Sequence, residues 1–212
     1  MKNIVLYAPP AAGKGTLCEL LEKNFGYKTL SIGQVMRNAR STETEIGRII
    51  IETQDKGILA PDKIVAELLK EELKKYDGCS LIVDGYPRNI NQAILLDEIL
   101  DDYLVINLNI CREDAKKRTL GRRNCVKCNK IYNVFYDNMK PKTENLCDIC
   151  NVELNTRSDD NEESFNARYD VYENNAPEIL KFYRNKGILR TIDSNNSSNH
   201  IYLEVAKIIK GI

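Results

Sequence analysis

Small residues, a lysine and a hydroxyl crowd one short run, Ala8-Pro9-Pro10-Ala11-Ala12-Gly13-Lys14-Gly15-Thr16. Before it stands Asn3-Ile4-Val5-Leu6-Tyr7, which reads as a buried strand; after it Leu17, Leu20, Leu21 and Phe25 recur at helical spacing up to Gly26. Strand, small-residue loop and helix start make a phosphate cradle. Backbone N–H groups of the loop and of the first helical turn point at one spot and favour an anion there. Lys14 adds a charge that reaches the outer phosphates. Two offsets separate the run from the usual phosphate-loop pattern: Ala8 replaces its first glycine, and Gly15 delays the hydroxyl to Thr16.

Leu81-Ile82-Val83-Asp84 reads as another buried strand, followed by Gly85-Tyr86-Pro87-Arg88. In a parallel sheet, a carboxylate at a strand's C-terminal end faces the same crevice as the phosphate loop. Asp84 is therefore a candidate to hold magnesium through water. Gly85 leaves room for a ligand against the backbone, and Arg88 offers a two-pronged fork for phosphate. Arg118 and Arg122 are four residues apart and, on one helix, share a face. The second strong signal is Cys125-x-x-Cys128 with Cys147-x-x-Cys150, the spacing of a tetrahedral structural zinc with four thiolates. Ile131 to Tyr136 between them looks like hairpin material. This segment has too few apolar residues for a core of its own, so a metal can stabilise it instead.

Lys+Arg number 31 and Asp+Glu 31, a net charge of zero. That speaks against a non-specific nucleic-acid binder, which needs a basic excess. No apolar run approaches the roughly 20 residues of a membrane span. Met1-Lys2 leads straight into a strand with no signal-peptide pattern, so a cytoplasmic chain with reduced thiols is expected. Cys18, Cys79 and Cys111 are expected to pack as small hydrophobes. His200, the one histidine, falls in a polar stretch read as loop and is a poor acid–base candidate.

The elements that must position these groups follow from pattern. Lys28-Thr29-Leu30 reads as a second strand, and Ser31 as the N-cap of a helix running through Arg37. A charged helix is expected from about Glu43 to Asp55, stopped by Gly57. Pro61 opens a helix with Ile64, Val65, Leu68, Leu69 and Leu73 on one face. A helix over about Asn89–Leu100 precedes a strand over Tyr103–Ile110. Two helices, one opened by Arg157 to Glu163 and running towards Glu173, the other from about Pro177 to Asn185, precede a strand at Leu189–Asp193. Tyr202, Val205, Ile208 and Ile209 mark the last helix.

Taken together, the chain resembles the adenylate kinases of the zinc-containing, long-lid type over essentially its whole length. The resemblance rests on the phosphate loop, Ser31-x-Gly33-x-x-x-Arg37, Asp84 to Arg88 with Gln92, Gly121-Arg122-Arg123, the four cysteines, and Arg157-x-Asp159-Asp160 with Arg168. It implies an α/β fold: a phosphate-loop NTPase core with a five-stranded parallel sheet flanked by helices (1–30, 61–121 and 160–212), a helical NMP-binding insertion (31–60) and a zinc-binding lid (122–159). It implies reversible transfer of the ATP γ-phosphoryl to AMP with magnesium, by a monomer acting on small-molecule nucleotides. Ala11, Ala12, Gly13, Lys14, Gly15 and Thr16 would hold the ATP phosphates. Arg122 would contact ATP, Arg118 would pack on adenine, and the backbone at Ile131-Tyr132 and the loop residue Asn196 would meet the ATP base side. Arg37, Arg88, Arg157 and Arg168 would grip AMP and the moving phosphoryl, with Lys14 and Arg122 as further catalytic cations. Ile32, Ile58, Leu59, Ala60, Gly85, Tyr86, Pro87 and Gln92 would surround AMP.

The chain departs from the family at Ala8 and Ala11, which are glycines there, at Ile32 (threonine) and at Gln34 (aspartate). A methyl at a loop position needing φ > 0 costs about 1–2 kcal/mol. Loss of the hydroxyl at Ile32 bears on the choice of monophosphate. Two other readings compete: a kinase for UMP or CMP, and a nucleotide-sensing or zinc-ribbon binding protein on the same fold. The arginines at 37, 88, 122, 157 and 168 speak against the second, since a binding module needs no such ring of charge around a transferring group.

Overall fold

The computed structural model describes residues 1–55 and 59–211, without the side chains of 54 and 55. Its centre is a five-stranded, wholly parallel sheet in the order β2-β3-β1-β4-β8. The strands are β1 (Asn3–Tyr7), β2 (Lys28–Ser31), β3 (Leu81–Asp84), β4 (Tyr103–Asn109) and β8 (Leu189–Asp193), as the sequence predicts. Helices α1 (Lys14–Phe25), α2 (Ile32–Arg40), α3 (Glu45–Asp55), α4 (Asp62–Leu73), α5 (Ile90–Ile99), α6 (Arg112–Gly121), α7 (Glu162–Asn185) and α8 (Ser198–Gly211) connect and cover them. A separate antiparallel sheet, in the order β6-β5-β7, holds β5 (Arg122–Cys125), β6 (Ile131–Asn133) and β7 (Leu154–Asn155).

A parallel sheet covered by helices buries both faces, so its strands are almost continuously apolar. Alternate residues then serve different cores. Val5, Tyr7, Val83 and Val105 join one cluster with Ala93, Leu96, Ile179 and Tyr183. Ile4, Leu6, Ile82, Leu104 and Ile106 join the other with Leu17, Leu21, Phe165 and Val205. The register sets Asp84 beside Leu6 on one side and Ser31 on the other. The carboxyl ends of β1, β2 and β3 thereby converge on one crevice.

Several sequence expectations are corrected. One helix, α7, replaces the two predicted around Pro177, which lies inside it. Proline removes an N–H and costs about 3 kcal/mol in a helix interior. Packing overrides that local preference, because Phe165, Tyr169, Ala176, Ile179 and Tyr183 form an uninterrupted buried stripe through the proline. Arg118 and Arg122 do not share a helix face. Arg118 lies in the last turn of α6, whereas Arg122 is already extended and opens β5. Cys18 is buried as expected, but Cys79 and Cys111 are exposed, since each lies in a connection just outside β3 and α6. His200 sits in the first turn of α8 rather than in a loop. Ser31 precedes α2 at the N-cap position, yet its side chain makes no capping bond. The strand at Ile131 pairs with β5, not with the residues that follow it. Gly57, the expected stop for α3, lies outside the described residues.

The phosphate loop turns between β1 and α1 on two left-handed residues, Ala11 at φ +57° and Gly13 at φ +92°. Ala8 is not among the left-handed residues, so its methyl carries no such strain. At the other end of the core, α6 passes into β5 at Gly121. Asn133 lies buried over this junction, donating to the Arg118 carbonyl at 2.9 Å and accepting from Phe135 N–H at 3.0 Å. A methyl on Gly121 would overlap Asn133 Oδ1 and stand 2.5 Å from Phe135 Cδ2.

Replacing Ala11 by Gly is expected to raise stability by about 0.5–1 kcal/mol: the left-handed strain relieved is about 1–2 kcal/mol, less the extra freedom glycine gives the unfolded chain. A thermal midpoint that does not rise would reject the strain. Gly121→Ala is expected to lower stability by about 2–3 kcal/mol, the upper range for overpacking; denaturant unfolding reads it, and an unchanged midpoint concentration would show that the junction yields freely.

Candidate active site

At the crevice, Gly13 serves as the N-cap of α1 without a side-chain cap, so the first N–H groups of α1 are open to an anion. Lys14 Nζ reaches back to the Pro9 carbonyl, at 3.4 Å. Burial pushes its ammonium below the ordinary lysine range, nearby Asp84 pulls it up, and Arg88 and Arg122 push it down again. Asp84 Oδ1 is buried without a hydrogen-bond partner among the described residues. An unpartnered carboxylate oxygen facing a phosphate loop fits a magnesium-bound water, which would supply the missing donor.

The arginines reach the crevice from different elements. Arg88 comes from the turn after β3 and donates through Nε to the Gly85 carbonyl at 3.2 Å, leaving its terminal nitrogens for other acceptors. Arg37, on α2, rests on Gln34 Oε1 at 2.8 Å. Arg122 makes a two-pronged pair with Asp160, whose side chain is wholly buried. Arg168, on α7, donates to the Asp159 carboxylate at 2.6 Å and to its carbonyl at 2.7 Å. Arg157 lies in the connection between β7 and α7. Burial lowers the Arg88 guanidinium, Asp84 opposes that, and Arg168 and Arg37 add to it. Arg157 is lowered by burial and by Arg122 and Arg37, against Asp160 and Asp159. Each cation thus feels at least one other, so Lys14, Arg37, Arg88, Arg122, Arg157 and Arg168 are linked into one electrostatic cluster. Arg118 is half-buried at the end of α6, and Asn196 sits in the loop after β8, hydrogen-bonded to Asp193.

Beside this cluster lies a pocket lined by Ile32, Leu59, Ala60, Gly85, Tyr86, Arg88 and Gln92, all expected around AMP, together with Met36 and Val65, which were given no place there. Pro87 follows Tyr86 in the same turn. Ile58 falls outside the described residues. Burial, with the Asp62 carboxylate nearby, pushes the Tyr86 phenol well above its usual range.

In the outlying sheet, Cys125, Cys128, Cys147 and Cys150 bring their sulfurs within 4.8 Å of one another. Cys128 Sγ and Cys147 Sγ are 3.7 Å apart, close to the roughly 3.8 Å edge of a tetrahedron with metal–sulfur bonds of about 2.3 Å. The two knuckles repeat one geometry. Asn129 N–H donates to the Cys125 carbonyl and Asn151 N–H to the Cys147 carbonyl, both at 2.9 Å, and both asparagines are left-handed. The residues therefore fit a four-thiolate zinc. Tyr132 is buried against them, its hydroxyl accepting from Asp148 N–H at 2.8 Å. Its side chain belongs to this small core, and β6 at the sheet edge leaves backbone groups open to a ligand.

Sequence reasoning gave no role to Ser194, Asp62 or Asn133. Ser194 is fully buried and its hydroxyl donates to the Ala12 carbonyl, tying the loop after β8 to the phosphate loop. A serine beside the polar Asn195-Asn196 run carries no signal of that contact. Asp159 and Asp160 were visible as a motif, but their pairing with Arg168 and Arg122 was not.

The chain matches the family model described as adenylate kinase over residues 6–188. It is 37% identical over 217 residues to a protein named adenylate kinase from Archaeoglobus fulgidus, covering 99% of each chain. A protein of the same name from Caldanaerobacter subterraneus subsp. tengcongensis is 38% identical over 216 residues, covering 99% of this chain and 96% of the relative. One from Thermodesulfovibrio yellowstonii is 36% identical over 215 residues, covering 98% and 99%. With the parallel sheet, the phosphate loop and the arginine cluster on one crevice, the chain belongs to the adenylate kinase family.

Proposed function

We infer that this protein transfers the γ-phosphoryl group of Mg-ATP to AMP, giving two ADP, and runs the reaction in both directions. The observation that carries the reading is the cluster of Lys14, Arg37, Arg88, Arg122, Arg157 and Arg168 between a phosphate loop and a mostly apolar pocket. Phosphoryl transfer passes through a loose, charge-rich transition state, so positioning and positive charge supply most of the catalysis. In this reading Ala11 to Thr16 cradle the ATP phosphates with Lys14 against the outer ones. Arg118, the β6 backbone at Ile131-Tyr132 and the loop at Asn196 face the ATP base. Arg37 and Arg88 take the AMP phosphate; Arg122, Arg157 and Arg168 surround the moving group. The pocket with Ile32, Leu59, Ala60, Gly85 and Gln92 takes the AMP base.

Asp84, with its unpartnered buried oxygen, would hold magnesium through water, and the ion would supply neutralisation of phosphate charge. The four cysteines hold zinc. Four thiolates leave no open coordination position, so its role is to stiffen the small sheet rather than to react. Residues 122–159 act as a lid that excludes water from the transferring group, and 31–60 as the AMP-binding insertion on a core of 1–30, 61–121 and 160–212. Family membership and the arginine cluster speak against the pyrimidine-monophosphate and binding-module readings. Ile32, which presents only hydrocarbon to the pocket, keeps the acceptor choice worth measuring.

Arg88→Ala is expected to lower kcat by about 10²–10³, as loss of one donor aimed at developing charge does, with the thermal midpoint little changed; near-normal turnover in a coupled assay would remove Arg88 from this role. Metal analysis is expected to find one zinc per chain. Cys128→Ser should lower the thermal midpoint while leaving AMP affinity nearly intact, and protein purified without chelator that contains no zinc would reject the site.

A further inference from the structure

Among the described residues, the pocket proposed for the AMP base is lined by one side-chain amide, Gln92, and that amide is not free to turn. Its Oε1 accepts from the Arg88 backbone N–H at 2.8 Å. Its Nε2 donates to Asp62 Oδ1 at 2.9 Å. The same Asp62 oxygen accepts from Asn89 Nδ2 at 2.8 Å, while Asn89 Oδ1 accepts from Gln92 N–H at 2.8 Å and caps α5. An N–H can only donate and a carboxylate can only accept. Turning the amide over would set Nε2 against the Arg88 N–H and Oε1 against the Asp62 carboxylate, opposing like groups at both ends. Asp62 opens α4 and Gln92 lies in the first turn of α5, so two helix starts from distant parts of the chain fix one amide.

We propose that Asp62 is a positioning residue that sets base specificity by locking the Gln92 amide in one orientation. Locked, the amide has one acceptor lone pair left on Oε1 and one N–H left on Nε2. That pair matches a purine edge with an amino group at C6 and an unprotonated N1, as in adenine. A 6-oxo purine, with a carbonyl at C6 and a proton on N1, presents the reverse pair and meets two clashes. The proposal rests on the phosphoryl-transfer reading above.

The experiment compares wild type, Asp62→Ala and Asp62→Asn in initial-rate assays with ATP and either AMP or inosine monophosphate as acceptor, with thermal midpoints from the same samples. Asp62→Ala is expected to raise KM for AMP about tenfold and to lower the preference for AMP over inosine monophosphate in kcat/KM about tenfold, the scale of one charge-assisted hydrogen bond, with KM for ATP unchanged. Asp62→Asn keeps an oxygen facing both amides and is expected to stay within about threefold of wild type on each measure. Should Asp62→Ala fail to fold, Asp62→Glu takes its place with the same expected direction, since it keeps an acid at the start of α4 but moves the oxygen by a methylene. A folded Asp62→Ala with undiminished preference overturns the proposal, as does a parallel rise in KM for ATP and AMP with preference intact, which would mark a structural role. A wild-type protein that shows no transfer to AMP, or no preference for it, overturns the functional reading itself and is told apart by appearing before any substitution.

Discussion

Positive charge held in one cleft against its own repulsion is the constraint on which this molecule depends. The chain as a whole is neutral, yet it places Lys14 and arginines from α2, the β3 turn, β5, the β7–α7 connection and α7 within reach of one another. At an effective dielectric of about 20, two like charges about 6 Å apart repel by roughly 3 kcal/mol. Such a cluster needs anions to hold it until a ligand brings its own. Asp160, wholly buried, holds Arg122; Asp159 holds Arg168; Asp84 offsets the burial of Lys14 and Arg88. Each acid leaves part of its arginine's donor set unspent, so phosphate oxygens can be taken on without first breaking every bond.

The parallel sheet makes the gathering possible. All five strands end on the same side, so the connections after β1, β2 and β3 meet at one edge, and the buried Ser194 hydroxyl ties the loop after β8 to them through the Ala12 carbonyl. The small outlying sheet uses a different physical resource. Cys125, Tyr132, Cys147 and Leu154 are its buried apolar residues, too few to stabilise an independent unit without the four-sulfur cluster at its centre. Asn133 and Gly121 couple this unit to α6 by close approach, so the position of Arg122 follows from the junction rather than from a helix face.

Much of this was readable in the residues. Continuous apolar runs marked the inner strands β1, β3 and β4, because a strand buried on both faces has little room for polar side chains, whereas the edge strands β2 and β8 carry polar residues and were marked by their place in the chain. The phosphate loop and the four cysteines were legible because each is a local chemical unit of fixed spacing. What escaped shares one cause: dependence on partners far along the chain. Pro177 reads locally as a helix boundary, and only the buried stripe on both sides of it carries α7 through. Arg118 and Arg122 read as one helical face, whereas Asn133 ends the helix between them from 12 residues beyond Gly121. Cys79 and Cys111 read as apolar, but they stand just outside the elements that would have buried them.

By itself, then, the order of residue types determined the local units: the inner strands, the phosphate loop, the cysteine knuckles and the inventory of cations. Tertiary structure alone decided which acid holds which arginine, that Ala11 must bear a left-handed backbone, and that Gln92 is clamped between Arg88 and Asp62. Hydrophobic periodicity and short-range spacing act over a few residues and leave their mark in sequence. Hydrogen bonds and ion pairs between segments tens of residues apart exist only once packing has brought their ends within about 3 Å, and no local pattern records them.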